Sequence, residues 1–172
     1  KGITYIGEGA SEAGGTSAPT VLKWIGGASI CFDIGTDCRN VGFRDLDFEN
    51  TGTATAFVRV GWTDWATFEN VNMRPTIFPS TAAVILGIGA NRCEFASFHN
   101  VTIRGTGVNQ VGIAADRAQT LRGNHLNLAG CLLTLGIAGS IDVVNVAFWG
   151  SSFTSYGDAG ATSPVVSVLQ AR

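Results

Sequence analysis

Apolar and polar residues alternate on either side of Asp45 in "VGFRDLDF", from Val41 to Phe48. The same pattern returns in "ATFENVNM", Ala66 to Met73, and in "ASFHNVTI", Ala96 to Ile103. A two-residue period places one set of side chains on one face of an extended chain, so each stretch is predicted as strand. No segment sustains a 3.6-residue period, and no amphipathic helix is predicted. With Phe43 as anchor, the equivalent positions are Phe68, Phe98, Gly123 and Phe148, at spacings of 25, 30, 25 and 25 residues. Flanking apolar columns then align: Val41, Ala66, Ala96, Leu121 and Val146 two before the anchor, and Phe48, Met73, Ile103, Leu128 and Phe153 five after it. These columns are the predicted buried face.

Two residues after the anchor stand Asp45, Asn70, Asn100, His125 and Gly150. Asp, Asn, His and Gly are the residue types that most readily take a positive φ, so a sharp left-handed bend is predicted in every copy. A third strand closes each repeat: "ICFDIG", "AFVRVG", "AVILGIG", "QVGIAA" and "CLLTLG". The predicted fold is therefore all-β, a parallel β-helix (solenoid) of about six coils, with about 25 residues and three short strands per coil, rising ~4.8 Å at each step. A β-sandwich has no reason to repeat side-chain types at fixed offsets. Residues 1–172 are read as one domain, an excised piece of a longer protein, with "GEGASEAGGTSAPT" (Gly7 to Thr20) as a long polar loop in the first coil.

Composition sharpens this. Charged residues are only 14% of the chain while Gly numbers 23 and Phe 10, a bias toward strands and tight turns. A formal net charge of -2 without a basic run speaks against a nucleic-acid partner. The longest apolar run, Ala82 to Ala90, is far short of the ~20 residues a membrane helix needs, so no membrane insertion is expected. Cys38 and Cys93 fall two coils apart, roughly 9 to 10 Å, beyond disulfide reach, and Cys31 and Cys131 four coils apart. Free cysteines are expected, as in a protein folded in a reducing cytoplasm. No metal-ligand spacing and no cofactor motif is found.

With these columns in place, "GITYIGEG", the paired strands of the "VGFRDLDFEN" type and the Gly closing the third strand give the chain a resemblance to the pectate-lyase-like superfamily. Within it, the chain most resembles bacteriophage tailspikes. That resemblance implies a right-handed coil, a virion-tail or extracellular location, and a polysaccharide partner bound in a groove along the strand before the first turn. The superfamily's pectinolytic motifs (Asn-Thr-Asp, Asp-Asp, Gly-His-Gly and Arg-Ile-Lys) are absent, as is a calcium-binding Asp cluster, so no catalytic residue is carried over.

Candidate sites rest on the residues themselves. Asp33 and Arg59 are placed on adjacent rungs, outward, in a set continued by Gly87, Gly112 and Thr134. A turn column of Asp37, Asp64, Asn91 and Asp116 follows the third strand, where Asx side chains cap their own backbone. Glycosidic cleavage needs an acid and a carboxylate ~5 to 9.5 Å apart, which stacked rungs supply, so Asp33, Asp37, Asp64 and Asp116 are the candidate catalytic acids. Trp62 and Trp65 bracket Asp64, and with Arg59 they form the candidate sugar-binding set, a flat aromatic face suiting the C–H side of a sugar ring. An outward apolar stripe of Phe57, Ile85 and Leu132 is expected to seat a homotrimer. The sequence thus points to cell-surface polysaccharide binding, with glycan depolymerisation by hydrolase or lyase chemistry as an added activity. The alternative is a purely structural stalk, coat or adhesin segment.

Overall fold

The computed structural model describes residues 2–7, 20–35, 38–87, 91–107, 110–115, 118–135, 140–149, 153–155 and 165–168. In chain order the strands are β1 (Gly2–Ile6), β2 (Thr20–Trp24), β3 (Ile30–Ile34), β4 (Asn40–Asn50), β5 (Ala56–Val60), β6 (Thr63–Met73) and β7 (Val84–Leu86). They continue as β8 (Cys93–Arg104), β9 (Val111–Ala115), β10 (Ala118–Ala129), β11 (Leu132–Leu135), β12 (Ser140–Trp149), β13 (Phe153–Ser155) and β14 (Val165–Val168). Every ladder is parallel. The long sheet runs β1-β4-β6-β8-β10-β12-β14, with β2 also on β4, and the second runs β13-β11-β9-β7-β5-β3. The fold is an all-β parallel β-solenoid, as expected, with about four coils of about 26 residues each among the described residues.

The expected bend is present. Asp45, Asn70, Asn100 and His125 have φ of 55°, 51°, 52° and 55°. The ladder runs through the bend, so each predicted pair of short strands forms one long kinked strand. The Asn70 Nδ2 donates to Asp45 Oδ1 at 2.8 Å and Asn100 Nδ2 to Asn70 Oδ1 at 3.0 Å, a side-chain ladder parallel to the coil axis. Inside, Tyr5, Phe43, Phe68 and Phe98 stack ring on ring at 5.1, 5.4 and 4.7 Å between centroids. At Gly123 the aromatic stack gives way to Leu121, Leu126, Leu128 and Leu133.

The turns stack as well as the strands. Thr51 N donates to Trp24 O, Arg74 N to Phe48 O and Ser80 N to Ala54 O, at 2.9 to 3.1 Å. Asn50, fully buried, donates from Nδ2 to Ile77 O at 2.7 Å and accepts from Gly52 N at 3.0 Å, so this corner leaves no cost of an unmet amide. At Gly61 a Cβ would lie only 2.0 Å from the Gly35 carbonyl oxygen, so close backbone approach between coils demands glycine there.

Three expectations are corrected by the register. The fifth copy is anchored on Val143, which pairs with Gly123, while Phe148 pairs with Leu128. The spacing is 20 rather than 25, and Asn145, between the paired Val144 and Val146, stands opposite His125 in the register position assigned to Gly150, which lies outside the described residues. The outward set beyond Arg59 is Ile85, Ala114 and Thr134, not Gly87 and Gly112. The register slips between Leu132 and Leu133, and a Cβ on Gly112 would meet Cys131 Sγ at 2.7 Å, so Gly112 is packed inside.

Phe57 is wholly buried and packs on Phe48 at 5.5 Å. Its N–H and that of Val58 both donate to the Ala83 carbonyl, an irregular strand start that breaks two-residue alternation. Phe57 therefore leaves the expected outward stripe. Ile85, 8% exposed, sits in a small outer cluster with Ala56, Ala82 and Ala114, and Leu132 is half-buried. The loop residues 8–19 lie outside the described residues.

Candidate polysaccharide-binding face

The outward side of the long sheet carries the exposed aromatics. Ala66 and Ala96 point into the core, so their neighbours Trp65 and Phe95 must point out. They are register partners, their ring centroids 4.4 Å apart and tilted by 43°. Trp65 is 50% exposed and Trp62, at the preceding turn, 55%. The next outward row along the strands is Gly42, Thr67, Ser97 and Arg122, and beyond it Arg44, Glu69, His99 and Asn124. The Arg122 guanidinium reaches diagonally over Phe95, 5.7 Å from the ring centroid. Asn124 Nδ2 and His99 Nδ1 are 3.2 Å apart, and Arg44 lies 3.2 Å from Asp45 and 3.6 Å from Glu69. The result is an aromatic platform continued by hydroxyl, amide and imidazole groups, repeated at rung spacing.

The sequence-derived acids do not form one column. Asp64 is half-buried, its N–H on the Arg39 carbonyl at 3.0 Å. Thr63 pairs with Cys93 and Trp65 with Phe95, so the register sets Asp64 beside Glu94 and not beside Asn91. Asp37 and Asp116 lie outside the described residues. Asp33 is on the other sheet, facing Arg59 as its register partner. Arg59 Nε donates to Asp33 Oδ1 at 2.7 Å and its NH2 group to Asp33 Oδ2, a bidentate pair. That hydrogen bond is the main cause holding the Arg59 guanidinium above its ordinary pKa. Both oxygens of Asp33 are thus committed, and an exposed pair of this kind contributes about 0 to 1 kcal/mol. Arg59 and Asp33 serve each other, while Trp62 and Trp65 belong to the opposite sheet's edge and face.

Phe95, Arg122 and Glu94 were missed by sequence reasoning. The signal was there: Trp65 and Phe95 each precede an aligned inward alanine, and Arg122 follows the aligned Leu121, but the outward column holding Arg122 reads as mostly small residues. All four cysteines are free. Burial pushes the Cys93 and Cys131 thiols up to about 12 and Cys31 to about 11, which leaves them protonated and poor nucleophiles at neutral pH. Among the described residues, no three His, Cys, Asp or Glu side chains gather as a metal site. Comparison with family models, curated proteins and solved structures finds no match.

Proposed function

We propose that this β-solenoid binds cell-surface polysaccharide along the outward face of its long sheet, as a tailspike-like β-helix does in the resemblance drawn from its repeats. The observation that carries the reading is the exposed Trp65, packed against the half-buried Phe95, with the exposed Trp62 at the adjoining turn. Leaving large aromatic surface in water is unfavourable, at about 25 cal/mol per Å², and a sugar's C–H face covers such surface without stripping its hydroxyls of partners. Thr67, Ser97, His99 and Asn124 extend the platform with donors and acceptors at the rung repeat. A linear polymer lying along the coil axis meets them in succession.

Depolymerising activity is a further proposal on the same face. Its acids would be Asp64 and Glu94, neighbours by register and each next in sequence to one of the aromatic pair, since Asp33 is held by Arg59.

The test is a glycan array probed with the chain and with Trp65→Ala. The expected result is retention of a restricted set of polysaccharides by the native chain and at least a tenfold loss in the variant, the scale of ~1.4 kcal/mol or more for a lost stacking contact. A native chain that retains no glycan refutes the reading and leaves the stalk or coat alternative.

A further inference from the structure

The arginines are not distributed evenly between paired and unpaired states. Arg44, Arg59 and Arg74 each face a carboxylate (Asp45 and Glu69, Asp33, and Asp47), as Lys23 faces Glu49. Arg39, Arg92 and Arg122 make no ion pair with any described residue, and all three border the aromatic platform. The carbonyl of Arg39 accepts from Trp65 N at 2.9 Å and that of Arg92 from Thr63 N at 3.1 Å, which sets the two residues on either side of the Thr63–Trp65 rung. Arg122 covers Phe95. All three are exposed. The negative groups near them are Asp64 and Glu94 on the same rungs.

Resting on the polysaccharide reading, we infer that the polymer is acidic, its carboxylate or sulfate groups meeting Arg39, Arg92 and Arg122 while its ring stacks on Trp65 and Phe95. The Arg122 guanidinium sits 5.7 Å from the Phe95 ring centroid without an ion-pair partner among the described residues, and its planar fork of N–H donors fits an oxyanion in bidentate fashion. A neutral glycan would leave these three guanidinium groups without an ion-pair partner. An acidic one neutralises them, and the Asp64 and Glu94 carboxylates hold the polymer's other charged groups off the turn, which sets its register.

The experiment measures binding of the purified chain to polygalacturonate (carboxylate), chondroitin sulfate (carboxylate and sulfate), dextran sulfate (sulfate) and neutral dextran and galactan. The inference predicts binding to acidic polymers that weakens as salt rises, and a several-fold loss in each of Arg39→Gln, Arg92→Gln and Arg122→Gln. The carboxylate and sulfate arms identify which oxyanion is preferred. Neutral glycans bound as tightly as acidic ones, or three Gln variants binding like the native chain, overturn the inference and leave the polysaccharide reading standing. Absence of binding to every polymer, acidic and neutral, overturns both.

Discussion

At the bend, one residue carries two separate demands. Asn70 holds φ at 51° and also links Asp45 to Asn100 through its side-chain amide. Alanine there meets the left-handed steric cost of about 1 to 2 kcal/mol and loses two hydrogen bonds worth about 1 kcal/mol each. Glycine removes only the bonds. Asn70→Ala should therefore lower unfolding stability by about 2 to 4 kcal/mol, and Asn70→Gly by clearly less, as read from urea midpoints. Equal losses in the two variants would show that the backbone conformation contributes little. This column was legible in the sequence because few residue types tolerate the geometry. The exception is instructive: Gly150 sat at the expected spacing, yet the coil there is 20 residues long and Asn145 takes the place. The Asn-Val dipeptide that Asn145 shares with Asn70 and Asn100 was the better signal than distance.

The element that stiffens the core is the ring stack. Phe68 lies between Phe43, at 15° between planes, and Phe98, at 3°, and is 1% exposed. Stacked rings at a constant register fill the same volume in each coil, so the coils cannot slide past one another without unstacking. Phe68→Ala should cost about 3 to 5 kcal/mol, a large share of the roughly 5 to 15 kcal/mol that holds an ordinary domain, and thermal unfolding monitored by circular dichroism measures it. A loss below about 1 kcal/mol would mean that the neighbours collapse freely into the space. Period-2 alternation made these strands legible, and it misled at Phe57, because a doubled donation to Ala83 at the strand start is a backbone irregularity without a side-chain signature. Gly87 and Gly112 were misplaced for the same kind of reason, β7 ending at Leu86 and Gly112 standing without a register partner in β9 between Val111 and Ile113.

Over the whole molecule, the two sheets divide their labour by what faces water. The shorter sheet shows a self-paired Asp33–Arg59 and a small aliphatic cluster, both satisfied within the chain. The longer sheet shows exposed aromatics, hydroxyls, imidazoles and, in Arg122, an arginine that makes no ion pair with any described residue. The scaffold was readable because repetition multiplies a weak local pattern across coils. The binding face was only half readable, because Trp62 and Trp65 announce themselves by type while Phe95 and Arg122 acquire meaning from residues 27 to 57 positions away that the register brings beside them. The most direct measurement is an amide chemical-shift map of isotope-labelled chain titrated with a bound oligosaccharide. The account predicts perturbations concentrated at Trp65, Thr67, Phe95, Ser97 and Arg122, with Asp33 and Arg59 unmoved. Shifts centred on Asp33 and Arg59, or none on the long sheet at saturating sugar, would contradict it.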